Sequence, residues 1–415
     1  MQAKYHLYCT ACGCEIEDFG QWFAQGQKCR CGSPRAEVRY NADYSRLSEL
    51  CRGQADGLFH YFDFLPLNNR ASAVSLGEAV VPLERWDFLA DYAFEQYGIR
   101  CIPVVTRSDL SGGTGSFKDP AAALGASLMR EFGIKEYCIA STGNSATAFS
   151  RYLAEAGIRF KVFLPADACP DTITAIRAHG QEAIIVDGGY GAAKEAAAAY
   201  AAETGTLMTH GNIDPIRIES KRTLVFEYLR QLGRMPDVYV QAVAGGTAPI
   251  ALDKGIRELK EVCGGKVCLN GQEVAVNMPR LILSQQDTCD PMVRSWEQHT
   301  AQGFPAGWEK AFVSVSPSTR ISILTAAKPG NYPIVGPLVR QSGGTFVRVS
   351  ESELAALARK VYQEKGFIPG PAAMVCLAGF LQALAEGHIH DGELVSVNMG
   401  EGSARAEWFR KEVLS

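Results

Sequence analysis

Short apolar runs alternate with longer segments of helical periodicity along most of the chain. Glycine, serine, threonine or asparagine usually separates an apolar run from the next helical segment, as in parallel βαβ units. The predicted strands are 101–107, 136–141, 159–164, 182–187, 237–243, 280–285, 345–349 and 393–397. The predicted helices are 119–132, 145–156, 171–179, 191–204, 217–233, 248–262, 351–364 and 371–386. Since these strands are too many for one small sheet, we predict an α/β fold of two doubly wound parallel-sheet lobes.

The first 40 residues differ in composition, because they contain five of the 13 cysteines of the chain. We predict that residues 1–40 form a small zinc-ribbon-like module. Residues 41–75 lack regular periodicity but contain several aromatic side chains, which indicates a linker packed on the main body. The predicted large domain comprises 76–120 and 211–415, and the predicted small domain comprises 121–210.

Two cysteine pairs in the N-terminal module have a spacing typical of metal ligands. Cys9 and Cys12 form a Cys-x-x-Cys pair, and Cys29 and Cys31 form a second pair with one residue between them. Four thiolates from two such turns would make a closed structural zinc site. Cys14 is a competing ligand, and the short second pair is also compatible with a reduced or vestigial ribbon.

Overall composition restricts the choice of ligands. The chain has 415 residues, 47% of them hydrophobic, which suffices for a large core without disulfides. Its 41 Lys and Arg against 45 Asp and Glu give a net charge of −4 and no electrostatic argument for nucleic acid or an anionic membrane. No signal-like apolar region or run of ~18 apolar residues occurs. We therefore expect a cytoplasmic protein with reduced thiols that binds a small, mildly anionic solute or another protein.

A glycine-rich loop, residues 111–120, leads into one of the predicted helices. We predict Asp119 as the N-cap and Pro120 as the first helical residue, which places Lys118 at the positive end of the helix dipole. Because an ammonium group is disfavoured there, the functional interpretation is a lysine with a lowered pKa that can form a Schiff base. The alternative is an ordinary solvated lysine that follows a loop.

A second polar loop follows the predicted strand 136–141. Ser141, Thr142, Gly143 and Asn144 connect that strand to the next helix. Their hydroxyls and the backbone N–H groups of the helix start converge on the carboxyl end of the strand, where a carboxylate or phosphate could bind. Alternatively, Ser141, Thr142 or Asn144 serves only as a helix cap.

Two glycine-rich turns are candidate phosphate sites. In the turn 243–248, Gly245 and Gly246 allow close backbone approach and Thr247 adds a hydroxyl, so we predict a phosphate cradle there. The turn 187–194 also lies between a strand and a helix. It lacks the full dinucleotide fingerprint and the acidic residue expected about 20 positions later, so a nicotinamide cofactor is disfavoured.

Taken in order, residues 114–119, 141–144 and 245–247 resemble the active-site loops of the threonine synthase family, whose members use pyridoxal phosphate. The resemblance covers about residues 1–400, including the cysteine module. It implies the fold type II architecture of these enzymes, in which the body is similar to the β subunit of tryptophan synthase.

The resemblance also implies the roles of individual residues. Lys118 would hold pyridoxal 5'-phosphate as a Schiff base and act as acid and base, and Asn144 would bind the ring hydroxyl. The expected cofactor-binding residues are Lys118, Asn144, Ala244, Gly245, Gly246, Thr247 and Asn398. The expected substrate-binding residues are Ser116, Ser141, Thr142, Gly143 and Arg217. Arg217 would bind the substrate phosphate, which suits a guanidinium; the alternative is a salt bridge at a helix start.

Several positions depart from the family pattern. Met399 follows the last strand where the family has a Ser or Thr that faces the pyridine nitrogen, so Asn398 or Ser403 would have to replace it. Asn212 and Gly245 stand where threonine synthases often have a Ser and an Asn near the substrate phosphate. These departures concern the substrate more than the cofactor.

The leading hypothesis is a lyase that makes threonine from O-phosphohomoserine by eliminating phosphate and adding water. The alternative within the family is β-replacement on O-phosphoserine or a related amino acid, as in the cysteate synthase branch. An alternative of another class is a binding protein that uses the cysteine ribbon on a catalytically silent scaffold. We also expect a homodimer.

Overall fold

The computed structural model describes residues 3–78 and 81–415. Its strands, β1 to β15 in chain order, are Tyr5–Cys9, Glu15–Ile16, Ala36–Tyr40, Leu83–Arg85, Ile102–Arg107, Glu136–Ala140, Arg159–Pro165, Glu182–Val186, Leu207–Met208, Val238–Ala242, Lys266–Leu269, Gln272–Ala275, Arg280–Gln286, Thr345–Val349 and Leu394–Met399. Its helices, α1 to α14, are Phe19–Ala24, Leu47–Leu50, Asp87–Tyr97, Asp119–Glu131, Asn144–Glu155, Pro170–Ala178, Tyr190–Thr204, Pro215–Leu232, Thr247–Cys263, Pro291–Ala301, Tyr332–Gln341, Leu354–Lys365, Pro371–Ala385 and Glu407–Leu414. Every strand and helix predicted from the sequence is present, with ends within three residues of the prediction.

The described residues form two compact units. The first unit contains 3–78, 111–230 and 267–272, and the second contains 81–110, 231–266 and 273–415. The proposed division of the body into a large and a small domain, with limits at residues 76, 121 and 211, stays a prediction.

In the first unit, four strands form a parallel sheet in the order β8-β7-β6-β9. Helices α5 and α7 pack on its strands, and α4 packs on α5. Strand residues such as Tyr137 and Val162 are fully buried, as expected for a parallel sheet that is covered by helices. Strand β6 ends at Ala140, so the loop 141–144 lies at the carboxyl edge of this sheet.

The cysteine-rich module is a three-stranded antiparallel sheet in the order β2-β1-β3. Its apolar side chains, including Tyr5 and Trp22, belong to the same buried cluster as Leu65 from the following segment and Leu124 from α4. The module and the first unit therefore share one hydrophobic core, which stabilises both by apolar burial.

A buried ion pair on α8 connects that helix to the N-terminal residues of the first unit. Arg222 donates from Nε to Glu219 Oε2 at 2.9 Å, and both side chains are fully buried. Tyr40 of β3 donates its hydroxyl to the same carboxylate at 2.7 Å, and Arg222 also donates to the carbonyl of Phe64. These hydrogen bonds satisfy charges that would be costly to bury alone.

In the second unit, six strands form a sheet in the order β14-β13-β10-β15-β5-β4. Only β4 is antiparallel to its neighbour. Strands β5 and β15 pair in parallel, with Ile102 opposite Leu394, although they are far apart in the sequence. Helix α13 packs on β10, β13 and β15. The parallel four-stranded sheet and this mainly parallel six-stranded sheet confirm the predicted α/β fold. No helix of the described residues has the length and apolar character needed to cross a bilayer.

Candidate functional site

The glycine-rich loop before α4 is organised around the carboxylate of Asp119. This carboxylate accepts hydrogen bonds from the backbone N–H groups of Thr114, at 3.0 Å, and Ser116, at 3.3 Å. Gly112 has a φ of +73°, and a Cβ there would lie 2.7 Å from Asp119 Oδ2, so this tight loop requires glycine. The predicted N-cap at Asp119 is wrong, because its carboxylate turns back to the loop; Lys118 occupies the N-cap and Asp119 is the first helical residue.

The second loop, residues 141–144, has no side-chain helix cap. Helix α5 begins at Asn144 with Gly143 at the N-cap, where no side chain accepts from the first turn. Ser141 Oγ accepts from the backbone N–H of Gly143 at 3.5 Å, so the alternative in which Ser141 and Thr142 satisfy only backbone donors stays a prediction. Their half-buried hydroxyls stand beside the start of a 12-residue helix, a position that favours a carboxylate or phosphate.

Arg217 of α8 lies against the start of α5. Its guanidinium donates to the Ser145 hydroxyl at 3.1 Å, and its side chain is 4% exposed. The buried Nε of Arg217 has no hydrogen-bond partner, and no carboxylate within the described parts of the chain forms an ion pair with it. No direct salt bridge is found at the helix start among the described residues, but Arg217 acts electrostatically on the buried carboxyl of Asp214 just before α8 and opposes the rise that burial causes in its pKa. Arg217 thus lies beside the start of α5, the helix that directly follows the second loop.

A lysine that the sequence analysis did not select lies close to Lys118 and Arg217. Lys221 of α8 is 4% exposed, and its Nζ lies 4.6 Å from the centre of the Phe117 ring. Burial lowers the pKa of Lys221 well below its ordinary value, and the neighbouring cations Lys118 and Arg217 lower it further. The only sequence signal is its spacing of four residues from Arg217, which puts both on one face of α8.

Replacing Lys221 with methionine should increase the free energy of unfolding at pH 7 by ~2 kcal/mol, because folding would no longer have to bury or deprotonate this amine. The folded pKa lies below the unfolded value of about 10.4, so wild-type stability should rise with pH between those two values. The Lys221→Met variant should lack this pH-dependent change in stability. Urea unfolding near neutral pH and at about pH 9.5 measures both effects. Equal stability and an equal pH slope in the two proteins would contradict the prediction.

In the second unit, the turn before α9 has a fixed geometry. Gly246 is the N-cap with a φ of +74°, and a Cβ there would lie 2.5 Å from Val335 Cγ2, so only glycine fits. The carbonyl of Gly245 accepts from Asn331 Nδ2 at 2.8 Å. Thr247 begins a 17-residue helix. A rigid glycine turn at the start of a long helix suits a phosphate group.

Asn398 carries an unused acceptor in the same unit. It is 2% exposed, and its Nδ2 donates to the Tyr239 hydroxyl at 2.7 Å. Its buried Oδ1 has no hydrogen-bond partner among the described residues. Met399 packs into the apolar core instead, and Ser403 is half-buried beyond the strand. A buried acceptor without a partner suits a protonated ring nitrogen. This favours Asn398 over Ser403 as the replacement for the Ser or Thr expected at position 399.

The four predicted metal ligands lie together in the N-terminal module. The sulfur atoms of Cys9, Cys12, Cys29 and Cys31 are all within 4.8 Å of one another. The Cys9–Cys31 and Cys12–Cys29 sulfur distances are both 3.6 Å. Tetrahedral zinc with Zn–S bonds of about 2.3 Å requires sulfur separations of about 3.8 Å, so this set fits zinc. Cys14 lies outside the cluster.

We expect the purified protein to contain about one zinc ion per chain. Cys29→Ser should remove most of the metal and lower the thermal midpoint, because a structural site contributes directly to folding. Cys14→Ser is the matched control and should keep the wild-type zinc content. Inductively coupled plasma mass spectrometry measures the metal. Equal metal loss in both variants, or a wild-type protein without zinc after expression with added zinc, would contradict this expectation.

Comparisons with known proteins agree with the resemblance seen in the loops. Threonine synthase from Methanocaldococcus jannaschii is 26% identical over 382 residues, which cover 90% of this chain and 87% of that protein. Cysteate synthase from Methanosphaerula palustris is 28% identical over 417 residues, which cover 97% and 90%. The solved structure of the processed form of threonine deaminase isoform 2 from Solanum lycopersicum shares the fold, with a TM-score of 0.61, 19% identity, and coverage of 88% and 94%.

Each unit, taken by itself, contains groups of the kinds that bind pyridoxal phosphate. The first unit has a lysine at a helix start. The second unit has a glycine turn that suits a phosphate group and the unpartnered acceptor of Asn398. The family described as "Pyridoxal-phosphate dependent enzyme" matches residues 74–400. Because this match spans most of the chain, the protein belongs to the pyridoxal-phosphate dependent enzyme family, among its threonine synthase- and cysteate synthase-like members, and its cofactor is pyridoxal phosphate.

Proposed function

We propose that the enzyme eliminates phosphate from O-phosphohomoserine and adds water to form threonine. Arg217 is the main support for this proposal, because it is a buried cation that forms no direct ion pair in the described structure and is held at the start of α5 by Ser145. A guanidinium binds phosphate through paired, charge-assisted hydrogen bonds. The similarity to proteins named threonine synthase supports the same substrate class.

The proposed roles in the first unit follow from the side chains. Pyridoxal phosphate, when bound, stabilises negative charge at the substrate Cα. We assign its attachment to the Lys118 amine, which then removes and returns protons at the substrate carbons. Asn144 would donate to the ring hydroxyl. The remaining groups would orient the amino-acid carboxylate; they are Ser116, Ser141, Thr142 and the backbone of Gly143.

The proposed roles in the second unit concern the phosphate and the ring nitrogen of the cofactor. The backbone of residues 244–247 at the start of α9 would bind its phosphate. Asn398 would accept a hydrogen bond from the ring nitrogen through Oδ1. A neutral amide stabilises a protonated ring less than a carboxylate would, so this enzyme would rely more on proton transfer by Lys118.

A second candidate is β-replacement on O-phosphoserine with sulfite as the incoming nucleophile. It is favoured by Asn212 and Gly245, which depart from the threonine synthase pattern, and by the match to a cysteate synthase over 97% of the chain. Both candidates need a phosphate-binding cation. The expected homodimer and cytoplasmic location also stay predictions.

Phosphate release by the holoenzyme distinguishes the two candidates. The substrates are O-phospho-L-homoserine and O-phospho-L-serine, each with and without sulfite, and the amino-acid products are identified by mass spectrometry. Phosphate and threonine from the first substrate without sulfite would support threonine formation. Sulfite-dependent release from the second substrate, with cysteate as product, would support the alternative. No turnover of either substrate would overturn both.

A further inference from the structure

Two buried cations lie on adjacent turns of α8. Arg217 and Lys221 are four residues apart, so their Cβ atoms are separated by about 5–6 Å on one helix face. Each side chain is 4% exposed. Like charges at this spacing destabilise a helix, and burial adds a desolvation cost. The pair therefore opposes folding, which indicates a role other than structural support.

Neither Arg217 nor Lys221 forms a direct ion pair within the described residues, in contrast to the other buried cations. The buried carboxyl of Asp214 interacts electrostatically with Arg217 but is not among the charges that act on Lys221. Arg222 forms an ion pair with Glu219, and Lys254 forms one with Glu258. The charged groups that act on Lys221 are Lys118 and Arg217, both cations, and its amine forms no hydrogen bond or ion pair in the described parts of the chain.

The hydrogen-bonding capacity around Lys221 is only partly used. Within the described residues, the only close electrostatically favourable contact of Lys221 is a cation–π contact with Phe117. The ring centre lies 4.6 Å from Nζ. Arg217 uses one terminal nitrogen on Ser145, while its buried Nε has no partner. The amine of Lys221 and the guanidinium of Arg217 thus both have donors left for a ligand that carries several oxygen acceptors, and a bound dianion would favour the protonated amine.

We propose that Lys221 is a second binding residue for the acidic side group of the substrate, which Arg217 and Lys221 together hold as a dianion. This inference rests on the proposed function. A phosphate monoester or phosphonate has enough charge and oxygen atoms to accept from both cations. A single carboxylate would leave one buried charge uncompensated, and a hydroxyl would compensate neither. Lys221 would therefore select phosphorylated over carboxylated or neutral amino acids.

Calorimetric titration of the holoenzyme tests this proposal with two ligands that differ only in the acidic group. The first is 2-amino-5-phosphonopentanoate, and the second is 2-aminopentanoate, which lacks the phosphonate. Lys221→Met should weaken phosphonate binding about 10- to 100-fold, the effect of one charge-assisted hydrogen bond. Binding of 2-aminopentanoate should change less than about twofold. Lys221→Gln should behave like Lys221→Met, whereas Lys221→Arg should retain most of the phosphonate affinity.

Lys254→Met is the matched control, because Lys254 is equally buried but has an acidic partner. This variant should lose stability and keep wild-type phosphonate affinity. Wild-type phosphonate affinity in Lys221→Met would overturn the proposal. Equal weakening of both ligands would also overturn it, because Lys221 would then position the cofactor or the amino acid. The phosphate-release assay tests the proposed reaction independently of this titration. If no phosphate is released but phosphonate binding still depends on Lys221, the proposed reaction is refuted and the role of Lys221 is retained.

Discussion

Lys118→Ala should lower kcat by at least about 10⁴-fold, because the variant loses the amine that attaches the cofactor and transfers protons. Reduction of the wild-type holoenzyme with borohydride should fix pyridoxal phosphate on Lys118, and peptide mass spectrometry should locate it there. The variant should give no such peptide. Its fold should be unchanged, since the loop is held by Asp119 rather than by the lysine side chain.

Lys118→Arg is the matched control for charge. Arginine keeps a cation at the start of α4, but its guanidinium stays protonated and forms no Schiff base. This variant should be as inactive as Lys118→Ala while keeping the wild-type thermal midpoint. The nearby Lys221 offers an internal check, because Lys221→Met should retain the adduct on Lys118. A cofactor adduct on any other lysine of the wild-type protein would refute the assignment.

Arg222→Met should lower the free energy of unfolding by about 3–5 kcal/mol, because it leaves the carboxylate of Glu219 buried without its cation. The hydroxyl of Tyr40 would still donate to that carboxylate but could not offset its charge. The midpoint of urea unfolding, followed by circular dichroism, measures the loss. The double variant Glu219→Gln/Arg222→Met should recover most of it, since no uncompensated charge then remains.

Arg151→Ala is the control for an ion pair near water. Arg151 lies 3.7 Å from Glu155 on α5, and both side chains are substantially exposed. Pairs of this kind contribute about 0–1 kcal/mol, so the control should shift the urea midpoint little. A loss below about 1 kcal/mol for Arg222→Met would show that the Glu219–Arg222 pair contributes no more than an exposed one.

For two of the helices that the sequence did not predict, α3 and α11, the structure shows why the pattern was weak. In helix α3 the side chains of Phe94 and Tyr97 are 48% and 40% exposed. Apolar residues therefore occur on its solvent-facing side as well, which weakens the 3.6-residue hydrophobic periodicity. Helix α11 contains Pro337, a residue that normally interrupts a helix, and Gly336 precedes it. Strands β5, β6 and β10 were predictable because buried parallel strands form short, almost wholly apolar runs.

The loops of the candidate site were predictable from residue types and order, whereas its electrostatics were not. Helix α8 contains Arg217, Glu219, Lys221 and Arg222 within six residues, a pattern typical of a solvated face. All of them are buried, which depends on how the rest of the first unit folds over the helix. Likewise, the direction of the Asp119 carboxylate is set by the loop that wraps around it, and sequence alone favours the ordinary N-cap role.

The pairing of β5 with β15 has a consequence for synthesis on the ribosome. Roughly 290 residues separate the paired positions Ile102 and Leu394, so at about 5–20 residues per second the nascent β5 waits about 15–60 s for this partner. Because β15 lies between β10 and β5, a chain released before residue 394 would have two sheet fragments with exposed edges in place of one sheet. Premature termination should therefore produce aggregating chains rather than a smaller working enzyme.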